Sequence, residues 1–108
     1  MTKHKHTPGP WTNLPRHGCI PVCLQEEAGL SIGFVHSSDP ARTAEGFANA
    51  KLIAAATLLL ADLTEAAAQL RKYETLHRAK GTQDSLAKAE VNAELASRFE
   101  QTIAAATA

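Results

Sequence analysis

Hydrophobic and polar positions change period once along this 108-residue chain, at about residue 40. Between Trp11 and His36 the apolar residues alternate in short pieces separated by breakers. Cys19-Ile20-Pro21-Val22-Cys23-Leu24 sets Ile20, Val22 and Leu24 on one side, and Leu30-Ser31-Ile32-Gly33-Phe34 repeats the alternation through Leu30, Ile32 and Phe34. A period of two predicts strands. Pro21 has no N–H to give a ladder, so its strand is expected at an edge or a bulge. The polar stretch from Gln25 to Gly29 suits a hairpin loop. With a short piece at Trp11, residues 11–36 are expected to form an antiparallel β-hairpin or a three-stranded meander. So small a sheet is marginal in water and must pack on another element.

The partner follows Ser37-Ser38-Asp39-Pro40, where Asp39 can cap a helix and Pro40 can occupy its first position. From Thr43 to Lys80 the apolar residues return at helical spacing, and Gly81 ends the run. A heptad reading aligns Leu52, Leu59, Ala66 and Tyr73 at one position and Ala56, Leu63, Leu70 and His77 at the other. Ala87, Val91, Leu95, Phe99 and Ile103 recur every fourth residue and predict a second helix over 84–105. The short connector Gly81-Thr82-Gln83 folds it back antiparallel. The expected architecture is α+β: residues 1–10 as a flexible arm, then one domain over 11–108 with a sheet at 11–36 and helices at 43–80 and 84–105. A straight helix over 43–80 would be about 57 Å long at 1.5 Å per residue, against a radius of gyration of about 13 Å for a compact chain of this size. Either the helix bends or the hairpin projects.

Composition sharpens this picture. Hydrophobic residues reach 44% but aromatics only 5%, and much of the apolar excess is alanine, which favours helix and buries little surface per residue. A thin helical core follows. Apolar helix faces too broad for two helices to hide from each other invite a second copy, so a homodimer through the helices is expected.

Charge excludes more than it suggests. The 11 basic and 11 acidic residues cancel, leaving no global field to attract nucleic acid or an anionic membrane. No apolar stretch follows Lys3, His4, Lys5 and His6, so no secretory signal is expected. The apolar run between Lys51 and Asp62 is about half of the roughly 20 residues that cross a bilayer. A cytoplasmic protein without membrane contact is expected. In that compartment Cys19 and Cys23 stay reduced; on an extended strand they would stand roughly 13 Å apart at about 3.3 Å per residue, beyond the ~7 Å that a disulfide spans.

Two segments stand out as motifs: His6-Thr7-Pro8-Gly9-Pro10-Trp11, and Ala48-Asn49-Ala50-Lys51-Leu52-Ile53-Ala54-Ala55-Ala56. Together with Leu58, Leu59, Leu60 and Leu63 they resemble a family of small phage- and prophage-encoded proteins of unknown function. The resemblance implies a tryptophan-started β-hairpin or meander followed by helices, in a protein working inside a bacterial host cell. It carries over no catalytic or binding residue. Family members usually have proline where this chain has Thr57, a residue that can cap a fresh helix start without forcing one.

Candidate chemistry is sparse. His17, Cys19, Cys23 and His36 are the one set with thiolate and imidazole groups suited to zinc. Their spacing lacks a matching second pair, and the cysteines fit equally as small residues on the outer sheet face; no metal and no cofactor are expected. Lys3 to His6 and the group Arg71, Lys72, Arg78 and Lys80 are local basic patches. The second set also suits the negative end of a helix dipole, so nucleic acid is not expected as a partner. No nucleophile elbow, phosphate-binding glycine loop or H-E-x-x-H stretch is present, and no enzyme is expected.

What remains is a non-enzymatic binder of a host or phage protein. Phage genes of this size often encode such factors, including inhibitors of bacterial defence such as anti-CRISPR proteins. A small nucleic-acid-binding or zinc-dependent regulator and a structural assembly component are the alternative expectations.

Overall fold

A computed structural model describes residues 5–13, 19–24, 31–36 and 40–108. The chain is mostly helical with a small sheet. Strands β1 (Trp11–Asn13), β2 (Cys19–Leu24) and β3 (Ser31–His36) precede a 3-10 turn (Pro40–Arg42) and helices α1 (Thr43–Ala54), α2 (Ala56–Lys80) and α3 (Gln83–Ala106). The chain divides into two compact units, residues 1–59 and 60–108.

In the first unit the strands lie in the order β1-β2-β3, each pair antiparallel. Trp11 stands opposite Leu24, Cys19 opposite His36, and the β2–β3 register slips between Val22 and Cys23. That slip falls just after Pro21, the residue that cannot donate to a ladder. The loop expected at Gln25 to Gly29, and the Asp39 cap, lie outside the described residues. Helix α1 packs on all three strands. Its inward line is Gly46, Ala50 and Ala54, spaced four apart and buried. Ala50 and Val22 are 0% and 2% exposed, so small helix residues let the backbone of α1 come down close to the sheet. This is the structural work of the alanine-rich motif.

The long helix expected over 43–80 is two helices. Ala55 breaks it: its ψ opens to −4°, against about −42° in a regular α-helix. Backbone bonds run across the break from Ala55 N–H to Lys51 C=O (3.0 Å) and from Leu59 N–H to Ala55 C=O (2.9 Å). The interruption thus lies two residues before Thr57 and needs no proline. The N-terminal motif meets the residue that follows the second motif. Gly9 packs against Thr57 so closely that an added Cβ would lie 2.6 Å from the Thr57 Cβ. Around that contact, the peptide between Gly9 and Pro10 is cis, the Trp11 indole N–H donates to the Thr7 carbonyl at 3.2 Å, and the His6 and Trp11 rings meet edge to face.

The second unit is a helical hairpin. Gly81 adopts φ +71°, the left-handed conformation that glycine takes without penalty after a helix. Thr82 then caps α3, accepting a hydrogen bond from Ser85 N–H at 3.1 Å. The helix starts at Gln83, one residue before the expected Asp84. Arg71 reaches Glu100 and Arg78 reaches Glu90; as the number on α2 rises the partner's number falls, so the helices run antiparallel.

The line of contact within the hairpin differs from the expected seam. Ala67, Ser85, Ala89 and Ala96 are buried, whereas Tyr73 of α2 is 44% exposed and Val91 of α3 is 64% exposed. Leu63, Leu70 and His77 keep half-buried places beside the contact line. Two helices approach most closely where side chains are smallest, so alanine and serine take the centre. Leucines and aromatics stand on its flanks.

Candidate functional site

The first unit leaves large apolar side chains exposed beside the break. Leu52, Ile53, Leu58 and Leu59 are 43–63% exposed. They flank the break at Ala55, where α1 turns its small residues to the sheet and leaves its large ones outside. Four such side chains lie within eight positions, and a clustered apolar exposure on a soluble protein is often functional. The heptad reading had placed Leu52 and Leu59 inside a seam; the signal for their exposure lies in Gly46, Ala50 and Ala54, whose spacing defines the face that is buried.

The second unit carries its charge in one network. Arg71 donates to Glu74 (2.9 Å), Ser97 (3.1 Å) and Glu100 (2.6 Å), and Arg78 donates to Glu74 (2.9 Å) and Glu90 (3.1 Å). Hydrogen bonds from Arg71, then from Arg78, hold the Glu74 carboxyl below the ordinary carboxylate range, and the bond from Arg71 does the same for Glu100. Both guanidinium groups are held more firmly protonated in return. Two members of the basic patch expected at the end of α2 are therefore engaged by carboxylates. Lys72 and Lys80 make no ion pair among the described residues.

A shallow groove of about 390 Å³ runs between the hairpin helices, lined by His77, Asp84, Ala87, Lys88, Val91 and Asn92. The His77 Nδ1 is buried and has no hydrogen-bond partner among the described residues. Asp84, the carboxylate on the same wall, is paired with Lys88 at 3.1 Å. The groove brings together one imidazole, one ion pair and an apolar wall.

Of the set considered for zinc, His17 lies outside the described residues, as do the side chains of Cys19, Cys23 and His36. Backbone pairing places Cys19 and His36 across from each other on β2 and β3. Among the described residues no group of three or more histidine, cysteine, aspartate or glutamate side chains could hold a metal ion, and no single helix is long and apolar enough to cross a membrane.

The protein family described as Salmonella phage P22 protein Y8K6 matches residues 1–108, the whole chain. This chain belongs to that family. The resemblance carried by the segments His6 to Trp11 and Ala48 to Ala56 thus leads to a phage protein family. Neither a curated protein nor a solved structure matches the chain significantly. The Y8K6 family is matched across both units, so its extent includes the C-terminal helix beyond the two motifs.

Proposed function

We propose that this Y8K6-family protein is a phage accessory factor that acts inside the bacterial host by binding a host or phage protein, without catalysing a reaction. The observation that carries this reading is the exposed group Leu52, Ile53, Leu58 and Leu59 beside the Ala55 break. Leucine and isoleucine at such exposure are costly to solubility unless they are covered in use. The balanced charge of the chain suits a surface recognised by shape and apolar contact more than by long-range attraction. Phage origin makes a bacterial defence system the first partner class to test, in the manner of an anti-CRISPR protein; this step rests on the kind of gene and not on a site.

The test is capture from an infected host with the tagged protein and with its Leu52→Glu/Leu58→Glu variant. A stoichiometric partner held by the native chain and lost by a variant of unchanged helix content supports the proposal. Equal recovery by both overturns the assignment of this surface. Expression in hosts carrying individual defence systems then separates the finer reading: restored plating of a sensitive phage identifies an inhibitor, and unchanged plating in every host removes that role.

A further inference from the structure

We propose that the second unit docks face to face with the same unit of a second copy, forming an antiparallel four-helix bundle centred on Leu70, Tyr73, Leu95 and Phe99.

The two flanks of the hairpin differ in kind. Taking Ala67 and Ala96 as the inward direction and 100° per residue, Arg71 and Arg78 of α2 and Ser97, Glu100 and Glu90 of α3 turn to one flank. Their ion pairs close it. The opposite flank receives Leu63, Leu70 and Tyr73 from α2 and Val91, Leu95 and Phe99 from α3. His77 and Val91 line the same groove on that side, which places the two helices' contributions next to each other. Among the described residues no salt bridge joins the two helices across this flank, the Asp84–Lys88 pair near its loop end lying within α3, and it includes exposed side chains, Tyr73 at 44% and Val91 at 64%.

Size and charge select a second copy as the occupant. From Leu63 to Lys80 the face is about 25 Å long at 1.5 Å per residue, and two helices packed 8–10 Å apart make it about 20 Å wide, so a face-to-face pair covers roughly 1,000 Å² in total, the threshold for a specific interface. A two-fold partner must also be self-complementary. Asp62 and Lys80 stand 18 residues apart on the same edge of α2, and neither makes an ion pair among the described residues. A two-fold axis crossing α2 near residue 71 brings Asp62 of one copy to Lys80 of the other, twice. At the same level that axis sets Leu95 against Phe99 of the second copy and Leu70 against its Tyr73. The inner contact of each hairpin is made of alanines, so the bundle supplies the large apolar core that one hairpin lacks. This inference does not depend on the partner-binding reading, which concerns Leu52 to Leu59 in the other unit.

Sedimentation equilibrium of the full chain through the micromolar range tests it. The expected native mass is twice 11.5 kDa. Leu95→Glu is expected to give monomer at the concentrations where the native chain is dimeric, with helix content retained by circular dichroism. Asp62→Lys and Lys80→Glu are each expected to weaken the dimer about three- to tenfold by setting like charges together, and the double variant to recover most of the loss. The charge exchange keeps the test decisive if Leu95→Glu fails to fold. A monomeric native chain, or a dimer indifferent to both charge variants, overturns the proposal. Leu52→Glu/Leu58→Glu should leave the mass unchanged, so failure of this interface and failure of the partner surface read out separately.

Discussion

The contact between Gly9 and Thr57 is the smallest feature on which the first unit depends. Any side chain at position 9 must displace the start of α2, since its Cβ would overlap Thr57. Gly9→Ala is therefore expected to destabilise the protein by about 1–3 kcal/mol, the usual range for overpacking, with part of the loss recovered in a Gly9→Ala/Thr57→Ala pair; chemical denaturation of the four proteins of the cycle measures the coupling. The hydroxyl of Thr57 makes a second prediction. Thr57 Oγ1 is buried with no hydrogen-bond partner among the described residues, so Thr57→Val keeps the shape and removes an unsatisfied group. It is expected to be neutral or stabilising by about 1 kcal/mol in the same assay. Both motifs were legible as motifs, but nothing in their spacing said that they touch. Residues 9 and 57 are brought together by packing on the sheet, and no local pattern encodes a distance across 48 positions.

At the scale of elements, helix type and the turn at Gly81 were readable, and the position of the break at Ala55 and helix facing were not. Gly81 marked the end of α2 because a left-handed residue is needed there, and apolar spacing put the next start at Asp84, one residue late; the Thr82 cap was not read. The heptad count failed on which face is inside. It follows large side chains, and Leu63 and Leu70 fit both the predicted seam and the apolar flank. Ala67, Ala89 and Ala96 decide the matter by being small, a criterion that periodicity does not weigh. The same facing places Arg71 and Arg78 against three glutamates, with a consequence for pH. Glu74 and Glu100 titrate lower in the folded chain than in the unfolded one, so the unfolded state binds more protons in that window and stability rises with pH there. The contribution is fully present above the ordinary glutamate value of about 4.3 and is lost as pH falls through the lowered folded values. Replacing Arg71 by Gln is expected to flatten this acid-limb dependence and lower the melting temperature at neutral pH. Thermal melts between neutral pH and acid measure both, and an unchanged acid limb would remove the network from the account of stability.

For the whole molecule, the α+β class and the order of sheet before helices follow from the change of period near residue 40, and the structure agrees at the level of a mostly helical chain with a small sheet. The break at Ala55 was anticipated as one answer to the length of a 38-residue helix and, through the resemblance, near Thr57, two residues beyond where it falls. Sequence named no catalytic, cofactor or metal residue, and the surface proposed for partner binding was hidden in plain apolar spacing. Its exposure depends on which side of α1 the sheet chooses, and Gly46, Ala50 and Ala54 make that choice.

The alanine-lined interiors of both units carry one further consequence. Val22, Ala50, Ala54, Ala67, Ala89 and Ala96 are the buried apolar residues among those described, and alanine hides little hydrocarbon from water. The heat-capacity increment of unfolding scales with the hydrocarbon newly hydrated, and scanning calorimetry of the monomeric Leu95→Glu chain should return a value below the usual figure of roughly 12–15 cal/mol/K per residue. A stability curve drawn with so small an increment is flat. The single chain should therefore hold nearly the same margin against unfolding over a wide span of host temperatures.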